Sequence, residues 1–396
     1  MNEALYLAGW LIDGTGVPAR RDMLVRVDNE CIISTEPFNA AELKASGISF
    51  VDYSGCTIVP GLADCHVHLT LSGRADQDLR EKQLHHTFEQ NAPFIEERIR
   101  KSLACGIMAL RDGGDAGGHA LRFAAQEPRI PALKVHLRCS GSGWRARGRY
   151  GKLVGSPPAS GETLAEAIVR RSSGASQVKI LNSGLNSLTE FGRQTAPQFS
   201  LDELRAAVRV AKSREQRVMV HANGILPVEL AIEAGCDSIE HGFFMGDDNL
   251  RKMADRRVFW APTCYTMQAL GFSVKAGSIE ADIVRRNVEH QMAQMSRART
   301  FGVPIAAGTD AGSFGVRHGS SLVQEVRLLM GGGFSAEEAI RCASLEGARL
   351  LGLASEMGRI HPGMPASFVV LEGPPSAIPE SLGKPEAVYL KGERII

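Results

Sequence analysis

The order of apolar and polar positions divides the chain into two kinds of stretch. Near the start, Ala4 to Ile12 and Met23 to Val27 are rich in β-forming residues and are separated by turn residues. Near the end, Phe368 to Leu371 and Ala387 to Gly392 have the same character. These runs predict short strands at both ends of the chain.

Between the two ends, short apolar runs alternate with stretches of helical periodicity. Start signals of the capping-box type mark three of the helices, where a Ser or Thr precedes a Glu by three residues: Thr163 with Glu166, Ser200 with Glu203, and Ser335 with Glu338. The apolar runs predict strands at Thr57–Leu62, Ile107–Leu110, Ala132–Leu137, Gln177–Leu181, Arg217–Val220, Ser238–Glu240, Val258–Ala261 and Pro304–Ala307.

This alternation predicts an α/β protein with a parallel sheet. Eight strand–helix units favour a closed (β/α)8 TIM barrel over an open doubly wound sheet. No glycine-rich phosphate-binding motif follows a strand, so nothing supports a nucleotide-binding fold. We therefore expect a barrel over residues 57–360 and a small β-sandwich domain formed jointly by residues 1–56 and 361–396.

Composition narrows the class of protein. The chain has 396 residues, 44% of them hydrophobic, and a formal net charge of +1. A balance so close to neutral predicts no nucleic-acid partner and no membrane-surface role. The start lacks a basic region before its apolar residues, and no apolar run approaches the length of a membrane span. The eight cysteines are scattered along the chain and do not form the closely spaced framework of a small disulfide-bonded protein. We therefore expect reduced thiols and a cytoplasmic location.

The candidate chemistry lies at one end of the predicted strands. In a parallel barrel the active site forms at the C-terminal strand ends. There the sequence has metal-ligand residue types on five runs: His66 and His68 after run one, Lys179 within run four, His221 after run five, His241 after run six and Asp310 after run eight.

Each of these residues also has a structural explanation when it is taken alone. Lys179 could extend its amine to solvent, His221 or His241 could be a hydrogen-bonded core histidine, and Asp310 could cap a turn. Six placements at the same end of the barrel are hard to explain in that way. Together they predict a metal site, because imidazole and carboxylate are metal ligands.

This set resembles the metal-dependent amidohydrolase superfamily, and the flanking sequence resembles its imidazolonepropionase and prolidase-like branch. The resemblance covers essentially the whole chain. The segments that carry it are Val59-Pro-Gly-Leu-Ala-Asp64, Val178-Lys-Ile180, Val220-His-Ala222, Ser238-Ile-Glu-His-Gly242, Gly308-Thr-Asp-Ala311, and Gly358-Arg-Ile with Pro362-Gly363.

The resemblance implies two divalent metal ions, with zinc as the expected metal. One ion would be held by His66, His68 and Asp310 and the other by His221 and His241. Lys179, carbamylated by CO2, would bridge the two ions. A hydroxide activated by both metals would attack the substrate, with Asp310 as the catalytic residue that takes and returns the proton. Family analogy also implies a homo-oligomer.

The expected substrate is a small molecule with an amide-type C–N bond, such as an N-acyl amino acid, a dipeptide or a cyclic amide. The loop after run three departs from the branch. It reads Ser140-Gly-Ser-Gly-Trp-Arg-Ala-Arg-Gly-Arg-Tyr150 where relatives carry a Gly-Gly-His segment. No residue is therefore assigned to polarise the substrate carbonyl. The candidate substrate contacts are Arg149 in a basic loop, Tyr265 after run seven and His136 in run three.

Other functions remain open from the sequence. A mononuclear aminohydrolase (a deaminase) uses the same fold but lacks the lysine bridge and carries a Glu near the run-five His. Here Lys179 is present and His221-Ala-Asn-Gly224 has no such Glu. A noncatalytic scaffold would be expected to lose ligands, and none is missing. Lactonase or phosphotriesterase chemistry is compatible with the same ligand set.

Overall fold

The computed structural model describes residues 3–38, 47–126, 135–171 and 174–396. In these residues the strands are β1 Glu3–Leu11, β2 Arg20–Asp28, β3 Cys31–Pro37, β4 Val51–Pro60, β5 Leu62–Val67, β6 Ile107–Asp112, β7 His136–Cys139, β8 Gly143–Trp144, β9 Gly155–Ser156, β10 Gln177–Leu181, β11 Arg217–Ala222, β12 Ser238–His241, β13 Phe259–Ala261, β14 Phe368–Glu372, β15 Ala387–Leu390 and β16 Glu393–Arg394.

The α-helices of the same residues are α1 Gln77–Leu84, α2 Phe88–Ala104, α3 His119–Ala124, α4 Leu164–Arg171, α5 Leu201–Ser213, α6 Ile225–Ala234, α7 Gly246–Arg256, α8 Cys264–Gly271, α9 Ile279–Phe301, α10 Ser321–Gly331, α11 Ala336–Ala343 and α12 Leu345–Leu351. Short 3-10 helices span Pro375–Ala377 and Glu380–Gly383. Within the described ranges, none of the helices is both long and apolar enough to cross a membrane.

The two ends of the chain meet in one sheet. Its seven strands run in the order β16-β15-β14-β4-β1-β2-β3. Tyr6, Phe368 and Tyr389 pack edge to face and stacked in its core, and the hydroxyls of Tyr53 and Tyr389 lie 2.9 Å apart. Both ends therefore contribute to one structure, as expected. The strand pairing gives a single mixed sheet, so the predicted β-sandwich is not confirmed.

The first predicted run, Thr57–Leu62, is divided between two sheets. Pro60 ends β4 in the terminal sheet and Leu62 begins β5 in the parallel region. The Gly61 amide donates to Ser367 on the terminal side, and the Leu62 amide donates to Gly106 on the other. A Cβ on Gly61 would lie 2.2 Å from the sulfur of Met108, so glycine allows this close crossing.

The middle of the chain has a TIM-barrel-type α/β fold built on parallel strands. The strands form one sheet in the order β5-β6-β7 and another in the order β13-β12-β11-β10-β8-β9. The predicted run Pro304–Ala307 hydrogen-bonds to both sheets: Trp260 donates to Pro304, Ala306 donates to Trp260, and Cys65 donates to Ala307. The start of the predicted run Ala132–Leu137 lies outside the described residues.

The helix start signals are present as hydrogen bonds. Ser200 and Ser335 each form a reciprocal capping box with Glu203 and Glu338. Thr163 accepts from the Glu166 amide, and the Glu166 carboxylate accepts from the Thr163 amide. These bonds satisfy helix-terminal amides that have no partner within the helix. They orient α4, α5 and α11 around the parallel strands.

Candidate metal centre

The six predicted ligands lie at the C-terminal side of the parallel strands. His66 and His221 are the penultimate residues of β5 and β11, and His241 is the last residue of β12. Asp310 follows the run that connects the two parallel sheets. Lys179 lies within β10 and is only 2% exposed. Parallel strands end at the same edge, so side chains far apart in sequence meet there.

His66, His68 and Asp310 form the tightest part of this cluster. One potential ligand atom from each lies within 4.8 Å of the others. The Asp310 Oδ1 is 3.3 Å from His68 Nε2 and 3.7 Å from His66 Nε2. All three side chains are buried. Two imidazoles and a carboxylate facing one point are a donor set that suits a divalent ion such as zinc.

His221 and His241 stand beside that group. Their ring centroids are 4.6 Å apart, and the ring of His241 is 5.0 Å from that of His66. The amine of Lys179, on β10, lies 3.3 Å from His66 Nε2. The structure therefore brings all six predicted residues into one cluster.

Outer hydrogen bonds fix which nitrogen of each ring faces the cluster. The Nδ1 atoms of His66 and His68 donate to Glu240 and to the Gly114 carbonyl, at 2.8 and 2.7 Å. The Nδ1 of His241 bonds to the Thr263 hydroxyl at 2.6 Å. In His221 it is Nε2 that bonds, to the Gly184 carbonyl at 3.2 Å. Three rings thus present Nε2 and one presents Nδ1, an arrangement typical of metal-ligating histidines.

Sequence reasoning missed the ion pair beneath the cluster. Glu240 accepts from Arg111 Nη1 at 3.0 Å and from the Ser238 hydroxyl, while Arg111 Nε donates to Gln177 at 2.7 Å. Arg111 and Glu240 are fully buried. The signal was available: Arg111 directly follows the apolar run Ile107–Leu110, Glu240 ends the run Ser238–Glu240, and a buried charge needs a partner.

Two ligand positions have a left-handed backbone. His241 has φ 68° and Asp310 has φ 58°, and Thr263, which holds His241, has φ 46°. For non-glycine residues this conformation costs of order 1–3 kcal/mol and is found where function requires it. The Asp310 amide donates to the His66 carbonyl at 2.7 Å, which holds the turn against β5.

Burial opposes protonation of the four imidazoles, but in His68 the hydrogen bond to Asp310 outweighs it and raises the pKa. In the other three, burial favours the neutral ring: it lowers the pKa of His66 to about 4 and that of His221 to about 3, with the charge of Lys179 acting in the same direction. Burial, with the neighbouring His221, also lowers the pKa of His241. Only neutral imidazole binds a metal, so these shifts leave the nitrogens available as ligands.

Lys179 provides the test of whether the residues fit the metal arrangement that the resemblance implies. Burial lowers the pKa of its amine to about 8, although Glu240 and Asp310 oppose that shift. Within the described ranges, no carboxylate lies within ion-pair distance of its amine. A buried lysine amine is a poor bridging ligand for two metal cations. The carbamate of the same side chain would be an anionic oxygen ligand. The donor set therefore fits two divalent ions with a modified lysine.

The three predicted substrate contacts are not brought into this cluster. Arg149 is exposed and donates to the Ala196 carbonyl at 2.7 Å. His136 begins β7, at the opposite end of the strand from the ligands, and lies 3.9 Å from Glu356. Tyr265 is partly buried at the start of α8, where its amide donates to Glu325. None of the three has a direct contact with the six ligand residues.

Two side chains that sequence reasoning did not select stand closer. The ring of Tyr150 is 5.3 Å from that of His221. Arg80, on α1, donates to the Gly312 carbonyl at 2.8 Å, two residues beyond Asp310. Tyr150 ends the glycine-rich loop that departs from the prolidase-like pattern, and that departure was its only sequence signal. For Arg80, we find no sequence signal.

A TIM-barrel-type fold with clustered histidines and an aspartate at the strand ends defines a class of metal-using hydrolases. The comparison with known proteins agrees. The sequence profile of the Amidohydrolase family matches residues 57–395, and the chain belongs to that family. It falls in the imidazolonepropionase/prolidase-like branch and is a hydrolase that acts on C–N bonds.

Individual relatives are distant. The chain is 27% identical to an uncharacterized protein of Mycobacterium tuberculosis, over 91% of this chain and 89% of that one. It is 24% identical to ochratoxinase of Aspergillus niger, over 97% of this chain and 84% of that protein. Among solved structures, a Xaa-Pro dipeptidase with methionine bound in its active site aligns with a TM-score of 0.79 at 24% identity, covering 99% of both chains.

Proposed function

We propose that the protein is a binuclear metal amidohydrolase that cleaves an amide-type C–N bond of a small molecule. The substrates that we favour are N-acyl amino acids, dipeptides and cyclic amides. His66, His68 and Asp310 would hold one zinc ion, and His221 and His241 would hold a second. Lys179, as a carbamate formed with CO2, would bridge them. We also propose that the parallel strands close into a (β/α)8 barrel beside a separate domain formed by the two ends.

The observation that carries this proposal is the position of Lys179. Its amine is 3.3 Å from His66 Nε2 and is only 2% exposed. A free ammonium buried beside neutral imidazoles would be unfavourable, because burying a charge without a carboxylate partner costs several kcal/mol. Carbamylation converts the same side chain into an anion with two oxygens. That change gives the cluster the negative charge that two divalent ions require.

When bound, such ions activate water and polarise a carbonyl group. The remaining work belongs to the residues of the chain. Asp310 stands at 3.3 Å from His68, and its other oxygen accepts from the Ser313 hydroxyl at 2.8 Å. Burial opposes its ionisation, but the bond to His68 and the nearby His66 hold the pKa of Asp310 below its usual range. It would accept a proton from the attacking water and deliver it to the leaving nitrogen.

Tyr150 is the residue that we favour for contact with the substrate carbonyl. Burial, with the negative charge of Asp310, raises the pKa of its phenol above the usual range, so the hydroxyl stays protonated at neutral pH. A protonated phenol is a hydrogen-bond donor. Its ring lies beside His221, with the ring centroids 5.3 Å apart.

The names of similar solved structures support hydrolysis of small molecules rather than one substrate class. A Xaa-Pro dipeptidase, molinate hydrolase and phenylurea hydrolase B align over 99–100% of this chain with TM-scores of 0.76–0.79. Their names point to different substrates, so the shared fold supports the reaction type better than any single compound. Cytoplasmic location and homo-oligomeric assembly stay predictions.

The test begins with metal content, measured by elemental analysis on protein purified with bicarbonate and without chelators. We expect about two zinc-like ions per chain and hydrolysis within a panel of N-acetyl amino acids, dipeptides and cyclic amides. Mass spectrometry of the native protein should show the added mass of CO2 at Lys179. One ion per chain with ammonia release from heteroaromatic amines would instead indicate a deaminase. No binding of added metal would overturn the proposal.

The variant Asp310→Asn tests the catalytic role proposed for Asp310. We expect kcat to fall by about 10³-fold, because general acid–base catalysis contributes about 10²–10⁴-fold. Asp202→Asn is the control, since its side chain is 97% exposed on α5. Equal activity of the two variants would remove Asp310 from the mechanism.

A further inference from the structure

Arg80 is fixed against the turn that carries Asp310. The residue lies on α1 and is half-buried, and its Nη1 donates to the Gly312 carbonyl at 2.8 Å. That turn packs tightly on the ligand strand: a Cβ on Gly312 would come within 2.5 Å of the His68 carbonyl. Arg80 therefore stands at the edge of the ligand cluster, and one hydrogen bond to the backbone fixes its guanidinium there.

The charge of Arg80 has no carboxylate partner. In the described part of the chain, no Asp or Glu lies within ion-pair distance of its guanidinium, and the single protein acceptor in hydrogen-bond contact with it is the Gly312 carbonyl. Burial lowers its pKa, which the charge of Asp310 partly offsets. The Asp310 carboxylate is engaged with His68 and Ser313. The guanidinium keeps donors that a ligand could use.

The basic loop after β8 differs from Arg80 in its exposure. Arg147 and Arg149 are exposed. They donate to the carbonyls of Pro158 and Ala196, and Arg145 donates to the carbonyl of Gly155. Arg80, by contrast, is half-buried, and its bond to Gly312 lies two residues beyond Asp310.

We propose that Arg80 forms an anion-binding subsite that selects substrates carrying a carboxylate next to the scissile C–N bond. The inference rests on the proposed function and narrows it to N-acyl amino acids and dipeptides rather than neutral cyclic amides. A planar guanidinium presents parallel donors that match a carboxylate, and partial burial strengthens the pair. Tyr150 would then direct the adjacent carbonyl toward the ligand cluster.

The kinetic test compares matched substrates with the wild-type enzyme and Arg80→Gln. For an N-acetyl amino acid and its uncharged carboxamide, we expect the ratio of the two kcat/KM values to fall by about 30-fold or more in the variant, since losing one member of a buried charge pair has at least that effect. Arg80→Lys should recover part of the ratio. Arg100→Gln, an exposed arginine on α2, should leave it unchanged. An unchanged ratio in Arg80→Gln, or the loss appearing in Arg149→Gln instead, would overturn the proposal.

A binding measurement tests whether Arg80 binds a carboxylate even if no substrate is turned over. Calorimetric titration of the zinc-loaded protein with 4-phenylbutanoate and with 4-phenylbutan-1-ol reports on the negative charge alone. We expect the Kd of the carboxylate to rise about 10-fold or more in Arg80→Gln, with little change for the alcohol. Equal carboxylate affinity in wild type and variant, with zinc content and far-ultraviolet circular dichroism matched, would contradict the subsite.

Discussion

Two charged clusters occupy opposite ends of the parallel strands, and they differ in how their charges are satisfied. At the N-terminal ends, a cavity of about 850 Å³ is lined by arginines and glutamates. There Arg299 pairs with Glu338 at 2.8 Å, and Glu346 pairs with Arg341 and Arg349 at 2.6 and 2.8 Å. Each carboxylate of that cavity has its own cation.

At the C-terminal ends, the balance is different. Four imidazoles and an amine surround one carboxylate, Asp310, and two of the ligand positions have a left-handed backbone. Because outer bonds hold one nitrogen of each ring, the other nitrogens point to a common space. A cluster of charged residues therefore does not by itself identify a metal site. The informative signs are buried donors that converge without satisfying one another, and backbone strain that keeps them there.

The largest expected effect comes from Lys179→Ala. Without the bridging side chain we expect bound metal to fall from about two ions per chain and kcat to fall on the order of 10³-fold or more, because both halves of the cluster lose a shared ligand. Elemental analysis and steady-state kinetics measure the two effects. Lys212→Ala, at an exposed position of α5, is the control. Near-normal activity in Lys179→Ala would refute the bridged two-metal arrangement.

Glu240→Gln should have the next largest effect. It leaves Arg111 buried without its carboxylate, for which we expect a loss of about 3–5 kcal/mol in the free energy of unfolding. It also weakens the support of His66, and we expect metal affinity to fall about 10–100-fold. Urea unfolding and competition with a metal indicator check these values. Unchanged metal affinity would mean that the ion pair serves only the core.

The pH dependence of stability in Glu240→Gln tests how the buried ion pair at the C-terminal ends of the strands is satisfied. Burial opposes ionisation of Glu240, but Arg111 and His66 hold its pKa far below the usual value of 4.5. A depressed carboxyl pKa stabilises the fold above the unfolded value and loses that contribution as pH falls toward the folded one. The stability gap between metal-free wild type and Glu240→Gln should therefore be constant above pH 4.5 and shrink below it. A gap that widens in acid would contradict this assignment.

The smallest effect is expected at the other end of the strands. Glu338→Gln removes the carboxylate that pairs with Arg299, where the side chains are 29% and 46% exposed. Partly exposed pairs contribute about 0–1 kcal/mol, so the melting temperature should fall slightly. Metal content and kcat should match those of the wild type. A loss of metal in this variant would show that the two clusters are coupled.

Much of the fold was readable from local sequence. Seven of the predicted apolar runs lie wholly in described residues, and in the structure they contribute to parallel strands or, for Pro304–Ala307, to hydrogen bonds between them. The division of Thr57–Leu62 into two strands was harder to predict, because the sequence has no turn signal other than Pro60 and Gly61 within this run. Only the crossing of the chain against Met108 divides it into β4 and β5. Likewise, two strand-rich ends predicted an accessory structure, but pairing alone decided that it is one sheet.

For the site, sequence indicated the candidate ligand types and the end of the strands at which they lie. His66, His68, Lys179, His221, His241 and Asp310 could be named because each follows or occupies an apolar run, and parallel strands end together. The tertiary structure decided which groups support and surround them. Glu240 meets Arg111 across 129 positions of sequence, and Arg80 reaches Gly312 across 232. No local pattern encodes such contacts, because they depend on how the strands and α1 pack in space.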